Sequence, residues 1–206
     1  MTDGYVYPDG SGVLVNLLGI RDREALQRAE YRWAAFNAAE ALAYADKART
    51  ITSVTWRGIH RRLFGDVYSW AGKFRTVNLA KGTTVFAPPH VLHSWADQEV
   101  LPAFTLSAVA STDRRQFAAA LAACWGELNF LHPFREGNGR STQLMVTALG
   151  RRYGHSVDWR RVGYEEEIAA AKAAERKEYG RYSAILERAL TTGVRGDPMQ
   201  VFWPRR

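Results

Sequence analysis

Apolar residues recur every three or four positions through most of this 206-residue chain, and one stretch before its midpoint breaks the rhythm. That contrast restricts the fold more than any other feature. Leu26, Ala29, Trp33, Phe36 and Ala39 keep helical spacing behind Asp22, a residue type that caps helix starts, and predict a helix over 22–48. Ile59, Leu63, Val67 and Trp70 predict a second over 53–70, ended by Gly72. Pro88-Pro89 opens another, to about Phe104, and Thr112 caps one over 113–130. Further helices are expected over 139–153, ended by Gly154, and then over 163–174 and 177–191. The exception is 73–87, where 74–79 and 83–86 are β-branched and aromatic and Lys81-Gly82 makes a turn between them. Residues 4–20, broken by Pro8, Gly10, Gly12 and Gly19, read as an irregular arm, and 193–206 as an irregular tail. The expectation is an all-α bundle carrying one small β-hairpin. It forms a single domain over 1–206, with an arm over 1–21, a core over 22–160 and closing helices and tail over 161–206.

Composition narrows the function classes. With 47% hydrophobic and 24% charged residues, the chain can bury a core. The single cysteine, Cys124, lies in an apolar run, which excludes an internal disulfide framework and suits a reducing compartment. The N-terminus has no basic region followed by an apolar stretch, and the longest apolar run carries Glu127 and is too short to span a bilayer. A cytoplasmic protein without a membrane partner is expected. The net charge of +7 is spread among acids, as in Arg21-Asp22-Arg23-Glu24, so it reads as a mixed-charge surface rather than a nucleic-acid face. His90 and His93 have helical metal spacing but lack companions of ligand type.

Residues 132–140, His-Pro-Phe-Arg-Glu-Gly-Asn-Gly-Arg, carry the chemistry. Gly137-Asn138-Gly139 sits where a loop becomes a helix. Glycine there permits positive φ and close backbone approach, so successive N–H groups can point at one anion, and the helix end adds unpaired donors and partial positive charge. Arg140 follows in the first turn, where a guanidinium can meet a phosphate oxygen in fork geometry. Glu136 is placed to hold a Mg²⁺ bridging diphosphate oxygens. His132, at the head of the loop, can take a proton from an attacking hydroxyl, with Phe134 anchoring the loop in the core.

This run resembles the signature of the Fic family, His-x-Phe-x-(Asp/Glu)-Gly-Asn-Gly-Arg-x-x-Arg, and matches it except at the last position, where Gln143 stands. Residues 14–22, 59–64 and 67–75 also resemble family segments, so the likeness covers roughly residues 5 to 160. It implies a Fic-type helical fold and transfer of AMP from Mg–ATP to a hydroxyl of a target protein. His132 would be the general base and Glu136 the Mg²⁺ ligand. Gly137, Asn138, Gly139 and Arg140 would cradle phosphates, with Gln143 facing the end of the triphosphate. The hairpin would be a flap that holds an extended target segment by main-chain pairing, with Val77, Val85 and Phe86 as its contact residues. Gln143 brings no charge to the third phosphate, so a degenerate nucleotide-binding module, another phosphate-bearing donor and a small-molecule acceptor remain alternatives. The family also implies a toxin role and two modes of restraint. One is a small antitoxin, and the other is an inhibitory C-terminal helix, whose pattern Ser183 and Glu187 begin to match before Arg188 departs from it.

Overall fold

The structure, a computed structural model, describes residues 4–192; the expected irregular tail over 193–206 lies outside them. Helix α1 spans Arg23–Asp46 and opens as expected, with the Asp22 carboxylate accepting from the Ala25 N–H at 2.7 Å. It lies along α2, Ser53–Phe64. Beyond a short hairpin, β1 (Ala80–Lys81) and β2 (Thr84–Val85), the chain coils through a 3₁₀ turn at Pro89–Val91 and α3 at Leu92–Ser94. It continues through a π-helical turn at Trp95–Val100 into α4, Leu101–Ala110. Helix α5 is Arg114–Leu131 and α6 is Asn138–Arg152. Strand β3 (His155–Val157), α7 (Tyr164–Ala174), α8 (Gly180–Ala189) and β4 (Leu190–Thr192) complete the described chain.

Helix α6 is the hub. It packs against α1, α2 and α5, and every residue from Ser141 to Gly150 is buried. A helix buried all round needs little polar surface of its own. The polar groups it carries are tied off, as when Thr147 donates to the Gln143 carbonyl and accepts from the Trp159 indole N–H. Trp56, Phe64, Trp125 and Phe134 are fully buried around it. The N-terminus of α6 therefore has a fixed position and direction.

The helical expectations hold in outline and fail at several ends. Helix α2 stops at Phe64, not Trp70. The Val67 and Tyr68 N–H groups both bond back to the Phe64 carbonyl, and the chain then doubles over α2. Gly72 does not end the helix. Its φ of +78° and the 2.9 Å between an added Cβ and the Arg57 carbonyl show why only glycine lets the chain return so close. Helix α5 is capped by Asp113, whose carboxylate accepts from the Gln116 N–H, rather than by Thr112. The helix expected to end at Phe104 runs to Ala110. The hairpin is shorter than expected. It has two pairs, Ala80↔Val85 and Lys81↔Thr84, around Gly82 at φ +61°. Residues 74–79 are not a strand, because the Arg75 N–H bonds the Pro133 carbonyl of the motif loop instead of a facing strand. A second antiparallel pair, β3 with β4, was not anticipated; it closes the last expected helix at Ala189. No helix among the described residues is long and apolar enough to cross a membrane.

Candidate active site

The end of α5 starts the site. His132 caps that helix in the left-handed region, φ 44° and ψ 55°, and so turns the chain sharply away from the helix axis. Its Nδ1 lies 3.3 Å from the Asn129 carbonyl, which assigns the proton to Nδ1 and leaves the Nε2 lone pair free to accept. The imidazole stacks on Phe86 of the hairpin at 3.8 Å, 13° from parallel. Burial pushes its pKa down to about 4; Arg75 and Lys81 add to the fall and the Asn129 carbonyl opposes it. The ring is neutral at neutral pH.

The following turn is locked by its own side chains. Asn138 donates to the Phe134 carbonyl at 2.7 Å and accepts from the Phe134 N–H at 2.8 Å. Phe134 is fully buried, stacked on His60 at 3.8 Å, while His60 Nε2 meets the Glu136 carbonyl at 2.9 Å and Nδ1 accepts from the Gly72 N–H. Burial holds His60 at a pKa of about 3, neutral, which makes it a structural brace. Gly137 caps α6 at φ +78°, and a Cβ there would meet Phe64 at 2.4 Å. At Gly139 a Cβ would meet nothing within 4 Å, so this side of the helix end is open. Asn138, Gly139 and Arg140 present first-turn N–H groups, which have no intrahelical acceptor by geometry.

These groups line one cleft of about 840 Å³, with His132, Glu136, the 137–140 turn, Gln143, Glu30, Lys81 and Glu167 on its walls. The sequence-predicted residues are thus brought together, with corrections of detail. The Asn138 side chain is spent on the loop, so only its backbone can serve an anion. The Gly137 N–H is directed at Glu136 Oε1, 2.8 Å away. Arg140 does not stand free. Its side chain is largely buried, and Nη2 is 2.8 Å from Glu30, whose carboxylate also receives the Tyr68 hydroxyl. Burial, with Glu136 nearby, raises the Glu30 pKa against the pull of Arg140. Gln143 is buried with its amide 3.4 Å from both Glu167 oxygens on α7. On the hairpin, Val85 is exposed, Phe86 is covered by His132, and Val77 lies before β1 rather than in it. Ser183 and Glu187 are not brought to the cleft. They bond each other on α8, and Glu187 lies by Arg115 in the first turn of α5, the opposite end from His132. An 18-residue helix separates the two ends by about 27 Å.

Sequence reasoning missed Glu30, Glu167 and Arg75. Glu30 was legible, since it sits four residues after Leu26 and four before Ala34 on the buried face of α1. A lone acid on an apolar stripe asks for a partner. Glu167 is one of three successive acids, and nothing in the sequence singles it out.

Comparison with known proteins finds relatives in sequence and in fold. The model of the Fic/DOC family matches residues 50–149. Protein adenylyltransferase VbhT of Bartonella schoenbuchensis is 35% identical over 189 residues, which are 92% of this chain but 39% of that protein. The probable protein adenylyltransferase y4lH of Sinorhizobium fredii is 34% identical over 158 residues, 76% of this chain and 79% of that one. The fold is shared with the N-terminal Fic domain of a VirB-translocated Bep effector from Bartonella quintana, solved with bound ADP. That similarity has a TM-score of 0.82 and 22% identity, and covers 91% of this chain and 94% of that one. With y4lH matched at 34% identity over 79% of its length and the 132–140 turn inside the region that the family model matches, this chain belongs to the Fic/DOC family.

Proposed function

We propose that this chain transfers AMP from ATP to a hydroxyl of a target protein. The observation that carries the reading is a neutral imidazole and the open N-terminus of a helix in one cleft. In this reading His132 Nε2 takes the proton of a Ser, Thr or Tyr hydroxyl. The freed oxygen attacks the α-phosphorus, the bond between the α- and β-phosphates breaks, and pyrophosphate leaves. The N–H groups of Asn138, Gly139 and Arg140, turned outward by Gly137, stabilise charge as it moves onto the leaving diphosphate. The names of VbhT and y4lH point the same way.

Glu136 is the residue that would hold Mg²⁺. Its carboxylate is half-exposed beside the nest. Among the described residues no group of three or more His, Cys, Asp or Glu could form an all-protein cage, and Mg²⁺ suits a site of one carboxylate completed by phosphate oxygens and water. The metal would neutralise charge on the leaving group. The hairpin supports the target: its strands are exposed, Lys81 lines the cleft that holds His132, and strand pairing accepts varied sequences. Val85, exposed at the edge, is then the side chain available to the target residue. A cytoplasmic setting, a toxin role and restraint by a small antitoxin complete the proposal. If they are right, expression should arrest growth with intact His132 and not with His132→Ala.

A second reading is favoured by Gln143. Its amide faces the Glu167 carboxylate at the wall of the cleft, so a carboxylate stands beside the residue that, in this reading, faces the third phosphate. A diphosphate-linked donor meets less repulsion there. Binding of ADP and ATP, each with and without Mg²⁺, separates the two readings. ATP transfer predicts metal-dependent binding of both nucleotides that Glu136→Ala weakens and His132→Ala leaves intact. Preference for ADP by 10-fold or more, about 1.4 kcal/mol, together with no AMP transfer would favour the other donor.

A further inference from the structure

Arg75 is the most completely enclosed charged group in the described chain, with 2% of its surface exposed. It lies outside the motif and touches none of the groups that would meet a nucleotide. Its guanidinium is used as a junction. Nε donates to the His132 carbonyl at 2.8 Å, Nη1 to the Val77 carbonyl at 2.8 Å, and Nη2 to the carbonyls of Leu131, at 3.1 Å, and Ala87. Its backbone N–H adds a bond to the Pro133 carbonyl at 2.8 Å. Every partner is a main-chain carbonyl, and they come from two places. Val77 and Ala87 flank the hairpin on either side. Leu131, His132 and Pro133 form the end of α5 and the head of the motif loop. The carbonyl end of a long helix carries partial negative charge, which offsets the cation without a carboxylate. The Ala87 N–H reaching the Phe130 carbonyl and Phe86 stacking on His132 bind the same two pieces along the same seam.

We infer that Arg75 is a positioning residue that locks the target-binding hairpin and the His132 turn into one rigid body, so that a docked strand and the accepting nitrogen arrive in fixed register. This rests on the reading that the hairpin holds the target and His132 accepts its proton. A planar fork with five donors can reach carbonyls in several directions at once; an ammonium on a flexible stem cannot hold the same set. The left-handed turn at His132, unfavourable for a residue with a Cβ, is held from outside by the bond to its own carbonyl. Removing the junction leaves the carbonyls of a buried seam without donors and frees the hairpin to pivot.

The test compares Arg75→Lys and Arg75→Met with the full chain. Thermal melting reports folding, ADP binding reports the nest, AMP transfer to a peptide or protein acceptor reports register, and NMR titration reports the His132 ring. The charged groups acting on that ring are Arg75 and Lys81, with Arg135 and Glu136 further along its loop and Arg140 in the first turn of α6. Both variants should bind ADP within about twofold of the parent, as the nest is built by other residues. Transfer kcat/KM should fall about 10-fold in Arg75→Lys and about 100-fold in Arg75→Met, mostly in kcat. His132 should titrate higher in Arg75→Met, where a nearby positive charge is gone, and near the parent value in Arg75→Lys, which keeps it. A uniform loss of stability would not produce that split between the two variants. If Arg75→Met fails to fold, Arg75→Lys carries the test, because lost transfer with retained ADP binding and retained titration isolates register. Parental transfer in either folded variant, or an unshifted His132 in Arg75→Met, overturns the inference. If the parent itself transfers no AMP, the proposed function fails. Amide exchange at Phe86 and Ala87 then decides this inference alone, with faster exchange in Arg75→Lys supporting it and unchanged exchange sinking it.

Discussion

The motif turn and the hairpin face each other across one cleft but are built on opposite plans. The turn over 132–140 is held at almost every atom. Asn138 and Phe134 bond reciprocally, His60 braces Glu136, Phe64 blocks any side chain at Gly137, and α6 behind it is buried all round. The hairpin is two residue pairs around one glycine, with exposed side chains and open space beyond Gly82. Chemistry that moves a proton and a phosphoryl group needs atoms fixed to a fraction of an ångström, so its residues are over-determined. A surface that receives many target sequences by main-chain pairing needs only an available edge. On the proposed reading the chain concentrates rigidity in the turn and at the Arg75-locked base of the hairpin, and leaves the hairpin tip as the adaptable edge.

Perturbations should separate the two plans. The largest effect is on chemistry: His132→Ala should keep the fold and ADP binding and lower AMP transfer by about 100-fold or more, measured as initial rate at saturating ATP. Near-parental transfer would remove His132 from the reaction. The next is on the turn's own lock. Asn138→Ala leaves the Phe134 N–H and carbonyl without partners in a buried place and should cost about 2–4 kcal/mol of unfolding free energy, read from denaturant titration. The corresponding change in the hairpin is smaller. Gly82→Ala meets no atom and strains only its positive φ, so it should cost about 1–2 kcal/mol. Equal costs at Asn138 and Gly82 would contradict the contrast.

A pH series tests the same rigidity. His60 and His132 are held at about 3 and about 4, below the 6.5 of an unperturbed ring. Between those values the unfolded chain binds protons that the folded chain refuses. The stability these two neutral rings contribute is therefore complete above about pH 6.5 and lost as pH falls toward 4 and then 3. The slope should be about 1.4 kcal/mol per pH unit for each ring. For the same reason the acid limb of transfer should fall near pH 4 rather than 6.5, if the acceptor and metal remain bound.

Much of this was legible in the sequence because it depends on local order. Helical spacing gave α1, α5 and α6, and the spacing of His132, Glu136, Gly137, Gly139 and Arg140 gave the composition of the site. Long-range partners were not legible. Glu30 meets Arg140 from 110 positions away, and Glu167 meets Gln143 from 24 positions later. Arg75 bonds carbonyls, which every residue possesses, so no pattern of side chains announces it. The hairpin was over-read for a related reason. The β-branched and aromatic run at 74–79 reflects burial of Phe74 and Arg75 against the motif, not a strand, and composition alone does not separate the two.

The central claim is that His132 directs AMP, and not another part of the donor, onto a protein hydroxyl. The direct measurement is incubation of the parent chain and His132→Ala with Mg²⁺ and ATP labelled either at the α- or at the γ-phosphate, in the presence of a cell lysate, followed by mass analysis of modified proteins. With the parent chain the α-label should enter protein as intact AMP and the γ-label should leave as pyrophosphate, and His132→Ala should transfer neither. Transfer of the γ-label by the parent chain beyond that of the lysate alone, absence of any AMP adduct with the parent chain, or equal AMP labelling by the two proteins would contradict the central claim.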